Sequence, residues 1–279
     1  MRRRSFLGTL LASSVGGPLI ANSGAATINR QRRESLAASF PKLMFDSSCG
    51  LLDGDKEPLT DQSLVAVWAE DSATSTDSDG NGDAIGYGGN NIPLVVVDDN
   101  VVGIGAPILE NETEFSFGND ELGLNALETI VGGGTILWDE GHDQYYTLSK
   151  FTDFATYAEN HGYSFTTTTS IADDLSNADG VVITTPTASF SSSERQALAD
   201  FASNGGGIFL FSQSDYRDFD ATGNLNEIAS ELGVDFRFND DQVMDQEHNN
   251  GPEFIPVTNA FNTDAHGSLF KNRKGISAG

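Results

Sequence analysis

The chain has one cysteine, Cys49, and only five lysines and three methionines among its 279 residues. A single thiol forms neither an intrachain disulfide nor a cysteine-rich zinc site. Beyond the N-terminal segment, no apolar run approaches the roughly 20 residues that a membrane-spanning helix needs. Positive charge is scarce as well: 15 basic residues stand against 41 acidic ones, for a formal net charge of −26. Nine of those 15 lie at the two ends, so residues 36–270 hold only Lys42, Lys56, Lys150, Arg195, Arg217 and Arg237 against 40 acidic residues. Nucleic-acid binding needs a basic footprint that displaces counterions from phosphates, and this body carries the opposite sign. Nucleic acid is therefore not an expected partner.

Self-repulsion of such a body is screened in molar salt, where the Debye length falls to about 3 Å. With 26 Asp, 15 Glu and almost no lysine, the composition resembles that of halophilic archaeal proteins. The first residues supply an address. Arg2, Arg3 and Arg4 precede an apolar stretch and small residues near Ala21–Ala26, the layout of a secretory signal that is removed after export. The order Arg3, Arg4, Ser5, Phe6, Leu7 resembles the twin-arginine motif, whose route carries folded proteins. The expectation is an exported protein, extracellular or at the cell surface, without a membrane span once residues 1–26 are gone.

Residues 27–62 carry Ser, Gly and Pro in every run and read as a linker, with a short strand near Leu43–Phe45. Residues 63–133 read as a small β-rich part. It holds a strand at Leu64–Glu70, then two strands turning at Asp98, Asp99 and Asn100, and a helix over 119–131 closed by Gly132–Gly134. From 134 to 270 the pattern alternates. Apolar runs at Thr135–Trp138, Gly180–Thr184 and Ile208–Phe211 are separated by helical spacing at Ser149–Asn160 and Ser191–Ser203, the latter opened by Ser191–Ser193 with Glu194 following, and a further helix spans Leu225–Leu232. Such alternation implies βαβ crossovers and a mostly parallel sheet covered on both faces. Residues 271–279 are basic and patternless, as in a disordered or truncated tail.

Ligands of open parallel sheets bind beyond the carboxyl ends of the strands. That rule selects Asp139, Glu140, His142, Asp143 and Gln144 after the first run, Thr185 after the second, and Gln213, Ser214 and Asp215 after the third. Asn239 and Asp240 follow a last strand ending at Phe238. Carboxylates with an imidazole suit either a divalent cation or general acid–base work, whereas an Asp-rich rim also suits plain solvation in salt. Asp139, Glu140, His142 and Asp215 are the candidate catalytic groups; the other rim residues are candidate ligand contacts. Asp77, Asp79, Asn81 and Asp83 in DSDGNGD fit the opening of a calcium loop, but Gly88 stands where such a loop has its bidentate Glu.

The runs ILWDEGHDQYYTLSKF, NGGGIFLFSQSDY and DFRFNDDQV carry a family resemblance. The segment from about Gly134 to Asp245 resembles the class I glutamine-amidotransferase-like sandwich in its DUF4350 or GIFT-like branch. The resemblance implies an α/β, flavodoxin-like three-layer sandwich with a mostly parallel sheet, here preceded by the smaller β-rich region. Amidotransferases of this class carry a cysteine nucleophile on a sharp strand-to-helix turn. The corresponding turn here reads FSQSD, with no cysteine, so glutaminase activity is not implied. The expected role is a non-catalytic binding or scaffold module for a small polar ligand or a cell-surface protein, with calcium as a candidate cofactor. The alternative is a hydrolase of extracellular glycan or peptide.

Overall fold

A computed structural model describes residues 40–276; the expected signal segment 1–26, the expected linker up to residue 39 and the last three residues lie outside the described residues. Among the described residues fourteen strands run in chain order: β1 (Leu43–Met44), β2 (Leu51–Leu52), β3 (Val65–Trp68), β4 (Thr74–Thr76), β5 (Pro93–Asp98), β6 (Val101–Ile104), β7 (Gly134–Asp139), β8 (Tyr163–Thr168), β9 (Gly180–Thr184), β10 (Gly207–Phe211), β11 (Arg237–Phe238), β12 (Gln242–Met244), β13 (Val257–Thr258) and β14 (Ala260–Phe261). Eight of them form one sheet in the order β14-β3-β5-β6-β10-β9-β7-β8, and three two-stranded sheets lie around it. Strands β6, β10, β9, β7 and β8 are mutually parallel, while β5, β3 and β14 extend the sheet antiparallel.

Side-chain alternation explains why these runs are central strands. In β10, Phe209 and Phe211 enter one core and Ile208 and Leu210 the other; in β7, Ile136 and Trp138 oppose Leu137. The first core is closed by the helices Asn119–Ile130 and Thr152–Glu159 through Leu122, Leu127 and Phe154. The second is closed by Ser192–Ser203 and Thr222–Leu232 through Leu198, Leu225 and Ile228. Strand β8 lies at the sheet edge, and its Thr-rich sequence is largely exposed there. The helix Ser192–Ser203 begins in a capping box of Ser191 and Glu194, and Thr222–Leu232 stops at Gly233 in the left-handed region at φ 74°.

The smaller β-rich region continues this sheet. Strands β5 and β6 pair across a turn that Asp99 makes with φ 51°, and β6 then pairs in parallel with β10. The stretch after residue 40 also belongs to the core, for Leu43, Phe45, Cys49 and Leu51 have no exposed surface. Its two short strands find distant partners, β1 with β13 and β2 with β11. At the other end, residues 271–276 lie along the helix Asn119–Ile130. The Asn125 amide donates to the Leu269 and Lys271 carbonyls, Arg273 pairs with Glu128, and the Ile276 N–H donates to Asp120.

Candidate functional site

Because β6, β10, β9 and β7 are parallel neighbours, their carboxyl ends share one edge of the sheet. Chain order reverses between β7 and β9: β8 follows β7 on one side, and β10 follows β9 on the other. Such a reversal splays the following loops apart and opens a crevice. The loops named from sequence do reach this edge, where they assemble into two groups rather than one.

The first group stands between the tips of β7 and β9. Asp139 is fully buried; its Oδ2 meets His142 Nδ1 at 2.8 Å and also accepts from the Gln144 side-chain amide. Gln144 Oε1 in turn accepts from the His142 backbone N–H at 2.9 Å. The His142 ring stacks on Phe190 with centroids 3.5 Å apart, and its Nε2 lies 3.5 Å from Glu194 Oε1. Burial raises the Asp139 pKa, with His142 pulling the other way. Burial pushes Glu194 up too, but hydrogen bonds from Ser191 and the neighbouring His142 outweigh it and leave that carboxyl below its ordinary value. An imidazole held between two carboxylates and an aromatic face is a closed unit with every ring nitrogen engaged. Glu140 is engaged as well, accepting from the Leu148 N–H at 3.0 Å, and Asp143 is exposed with φ 54°.

Tyr146 ties the two tips together, for its carbonyl accepts from Trp138 Nε1 at 3.1 Å and from Thr184 Oγ1 at 2.7 Å. Tyr145 is exposed, with Lys150 Nζ 3.9 Å above its ring. Thr185 follows β9 at φ 23°, a conformation that costs a β-branched residue about 1–3 kcal/mol. Its backbone N–H donates to the Phe211 carbonyl, and its buried hydroxyl has no hydrogen-bond partner.

The second group lies beyond β10 and draws in segments far apart in the chain. Ser214 and Asp215 donate their N–H groups to the Ser47 and Asp241 carbonyls. Asp215 is 1% exposed; its Oδ2 accepts from the backbone N–H groups of Ser78 at 2.9 Å and Asp79 at 3.2 Å. Its Oδ1 is buried without a partner. Asp215, Asp220 and Asp240 each bring a carboxylate oxygen within 4.8 Å of the others'. Burial, then the charges of Asp220, Asp83, Asp215 and Asp79, push Asp240 up to about 7. Asp215 is raised by burial against the pull of the Asp79 and Ser78 N–H groups.

The neighbouring residues serve mainly as supports. Asn239 clamps the distant segment at Ile85, accepting from its N–H at 3.0 Å and donating to its carbonyl at 2.8 Å. Gln213 donates to the Phe219 carbonyl, and Ser214 Oγ accepts from Gln242. Cys49, remote in sequence, sits at this edge with its N–H on the Gly105 carbonyl, and a Cβ on Gly105 would strike the Cys49 backbone. Complete burial, followed by the Asp241 charge, holds its thiol pKa well above the ordinary value, so it is a packed group and not a thiolate nucleophile.

The loop bearing Asp77, Asp79, Asn81 and Asp83 forms a second acidic group, with oxygens of the three Asp residues within 4.8 Å of one another. Its side chains are occupied with their own backbone. Asp77 accepts from Gly80 and Gly82, Asp79 from Asn81, and Asn81 from Asp83. Sequence reading named both loops separately and missed that the Ser78 and Asp79 N–H groups dock on Asp215. It also missed Glu194, read only as a helix cap, and Asp220, which no periodicity or motif distinguishes among 26 aspartates.

Residues 151–268 match a family model described as Domain of unknown function (DUF4350). The match includes Thr185, Glu194 and the Asp215–Asp220–Asp240 group, whereas Asp139–Gln144 and the Asp77–Asp83 loop precede it. No curated protein and no solved structure matches the chain. Among the described residues no helix is long and apolar enough to cross a membrane.

Proposed function

We propose that this chain, which carries a DUF4350-family domain, is an exported, salt-adapted binding module that takes up a divalent cation at the carboxyl edge of its sheet. Calcium is the first candidate, and the bound cation recruits a small polar ligand or a cell-surface partner. Asp215 carries the reading: it is a buried carboxylate with one oxygen unpartnered, inside a group whose other members are Asp220 and Asp240. Burying a carboxylate oxygen without a partner is costly, and a cation at that point supplies the missing coordination and a compensating charge. The order β8-β7-β9-β10 within the parallel part supports a flavodoxin-like three-layer arrangement, in which ligands bind at this edge. The arginine-led N-terminus supports twin-arginine export, and the acidic surface supports function in salt.

A hydrolase working through Asp139, Glu140, His142 and Asp215 finds less support. Those groups are divided between two clusters, and His142 faces Asp139 and Glu194 with both ring nitrogens.

The reading is tested by thermal unfolding in molar potassium chloride, which keeps general screening constant while calcium is varied. At about 100 times its dissociation constant the cation adds roughly 2.7 kcal/mol, a rise of about 5–10 °C in Tm for a domain of this size. Asp240→Asn should raise the Tm of the calcium-free protein by removing like-charge repulsion, and should flatten the response to calcium. Asp77→Asn should leave that response in place. Retention of the calcium shift in Asp240→Asn and its loss in Asp77→Asn would move the cation to the other loop.

A further inference from the structure

The two carboxylates Asp215 and Asp220 bracket a loop of four residues, Tyr216, Arg217, Asp218 and Phe219. In it Tyr216 is 47% and Phe219 60% exposed, two of only four large hydrophobic side chains that are exposed among the described residues. The other two, Tyr145 and Phe254, are also rings, but only Tyr216 and Phe219 directly follow and precede carboxylates of a candidate cation site. The loop is also held in a defined shape. Arg217 and Asp218 occupy the left-handed region at φ 59° and 57°, the Asp218 N–H donates to the Asp215 carbonyl at 3.1 Å, and Gln213 holds the Phe219 carbonyl. The Arg217 guanidinium lies 5.1 Å from the centre of the Tyr216 ring. Two consecutive non-glycine residues in that region are the kind of strain that persists where a loop shape is used.

We infer that the Asp215–Asp220–Asp240 edge, with Tyr216 and Phe219 beside it, is a cation-dependent binding site for a neutral saccharide carrying vicinal hydroxyls. The inference rests on the cation reading above and names the ligand class. A calcium ion takes six to eight oxygens, in number about twice the three carboxylates offered here. Asp220 and Asp240 are only half-buried, which leaves the remaining coordination positions facing outward. Two adjacent sugar hydroxyls fill such positions as a pair, and the apolar C–H face of a pyranose packs on an exposed aromatic ring. The surrounding field selects for neutrality: with a formal charge of −26 the protein repels phosphate, sulfate and uronate groups before they reach the cation.

The test uses the full chain in molar potassium chloride, saturated with calcium as judged by its melting shift. It is titrated calorimetrically with the methyl glycosides of mannose, galactose, fucose and glucose. Binding of at least one glycoside is expected, abolished by EGTA and weakened at least about tenfold in the double variant Tyr216→Ala/Phe219→Ala. That variant should keep the calcium-induced rise in Tm, which shows that it folds and that the cation site is intact. A normal calcium shift without binding of any glycoside at tens of millimolar overturns the saccharide inference and leaves the cation reading standing. Glycoside binding that persists in EGTA, or in the double variant, overturns it too. So does calcium-dependent sedimentation with phosphatidylcholine–phosphatidylserine vesicles in place of glycoside binding. Absence of any calcium shift in the wild type removes both readings together.

Discussion

Replacing Trp138 by alanine should lower the stability of the folded chain by about 3–5 kcal/mol, the largest loss expected from a single side chain. Trp138 is 1% exposed on β7, and its ring centre lies 4.6 Å from that of Phe151. Its indole N–H is satisfied by the Tyr146 carbonyl. Truncation therefore removes a large packed volume between the sheet and the helix Thr152–Glu159, and leaves the carbonyl with Thr184 alone. The consequence spreads from core to edge, since Tyr146 joins the tips of β7 and β9. For a domain of this size each kcal/mol moves Tm by roughly 2–4 °C, so a fall of about 6–20 °C is expected. Trp138→Phe, which keeps much of the apolar volume but loses the hydrogen bond, should cost markedly less. A loss below about 1 kcal/mol for the alanine variant in denaturant titration would contradict the packing described.

Glu114→Gln should make the protein more stable at pH 8 and change it little at pH 5. Glu114 is buried in the capping box of the helix Glu112–Phe115, its Oε2 accepting from the N–H groups of Glu110 at 2.5 Å and Asn111 at 3.0 Å. Burial pushes its pKa up to about 8, against the pull of those two N–H groups. In the unfolded chain the carboxyl ionises near its ordinary value of 4.5. Between those two values the folded state holds a proton that the unfolded state releases. Stability associated with Glu114 is thus complete below about pH 4.5, declines as pH rises, and is lost once pH passes about 8. At about 1.4 kcal/mol per pKa unit the full span is on the order of 3–5 kcal/mol. Glutamine keeps the acceptor oxygen and cannot ionise. Asp120, Glu121 and Asp139 are also raised by burial, so the wild-type profile has several contributors. The difference between wild type and variant isolates Glu114, and superimposable pH profiles of Tm would refute the assignment.

The elements that sequence made legible are those whose pattern is local. Fully apolar runs marked β9 and β10, Asp98–Asn100 marked the β5–β6 turn, and Ser191 with Glu194 marked a helix start. In the stretch from Phe40 to residue 62 the short strand near Leu43–Phe45 was legible and stands as β1, but β2 and the pairings of both strands were not, because the strands are two residues long and their partners lie some 200 positions away. A two-residue strand has no periodicity to detect. It reads as a linker, although Leu43, Phe45 and Leu51 lie in the cores.

The site divides in the same way. The rule that ligands gather beyond carboxyl strand ends found Asp139, His142, Thr185 and Asp215 through the strands that precede them. It assigned them to one rim but not to their partners. Whether His142 meets Glu194 or Asp240 depends on how loops fold back over the edge, and Asp215 is completed by backbone N–H groups that no side-chain motif announces.

The central claim is that Asp215, Asp220 and Asp240 hold a divalent cation. It is tested most directly by an anomalous difference map from crystals of the full chain grown with calcium. The account predicts a peak about 2.3–2.6 Å from a carboxylate oxygen of each of the three residues, with Asp215 Oδ1 among them. A peak confined to the Asp77–Asp83 loop, or a map without a peak at the edge beyond β10, would contradict it.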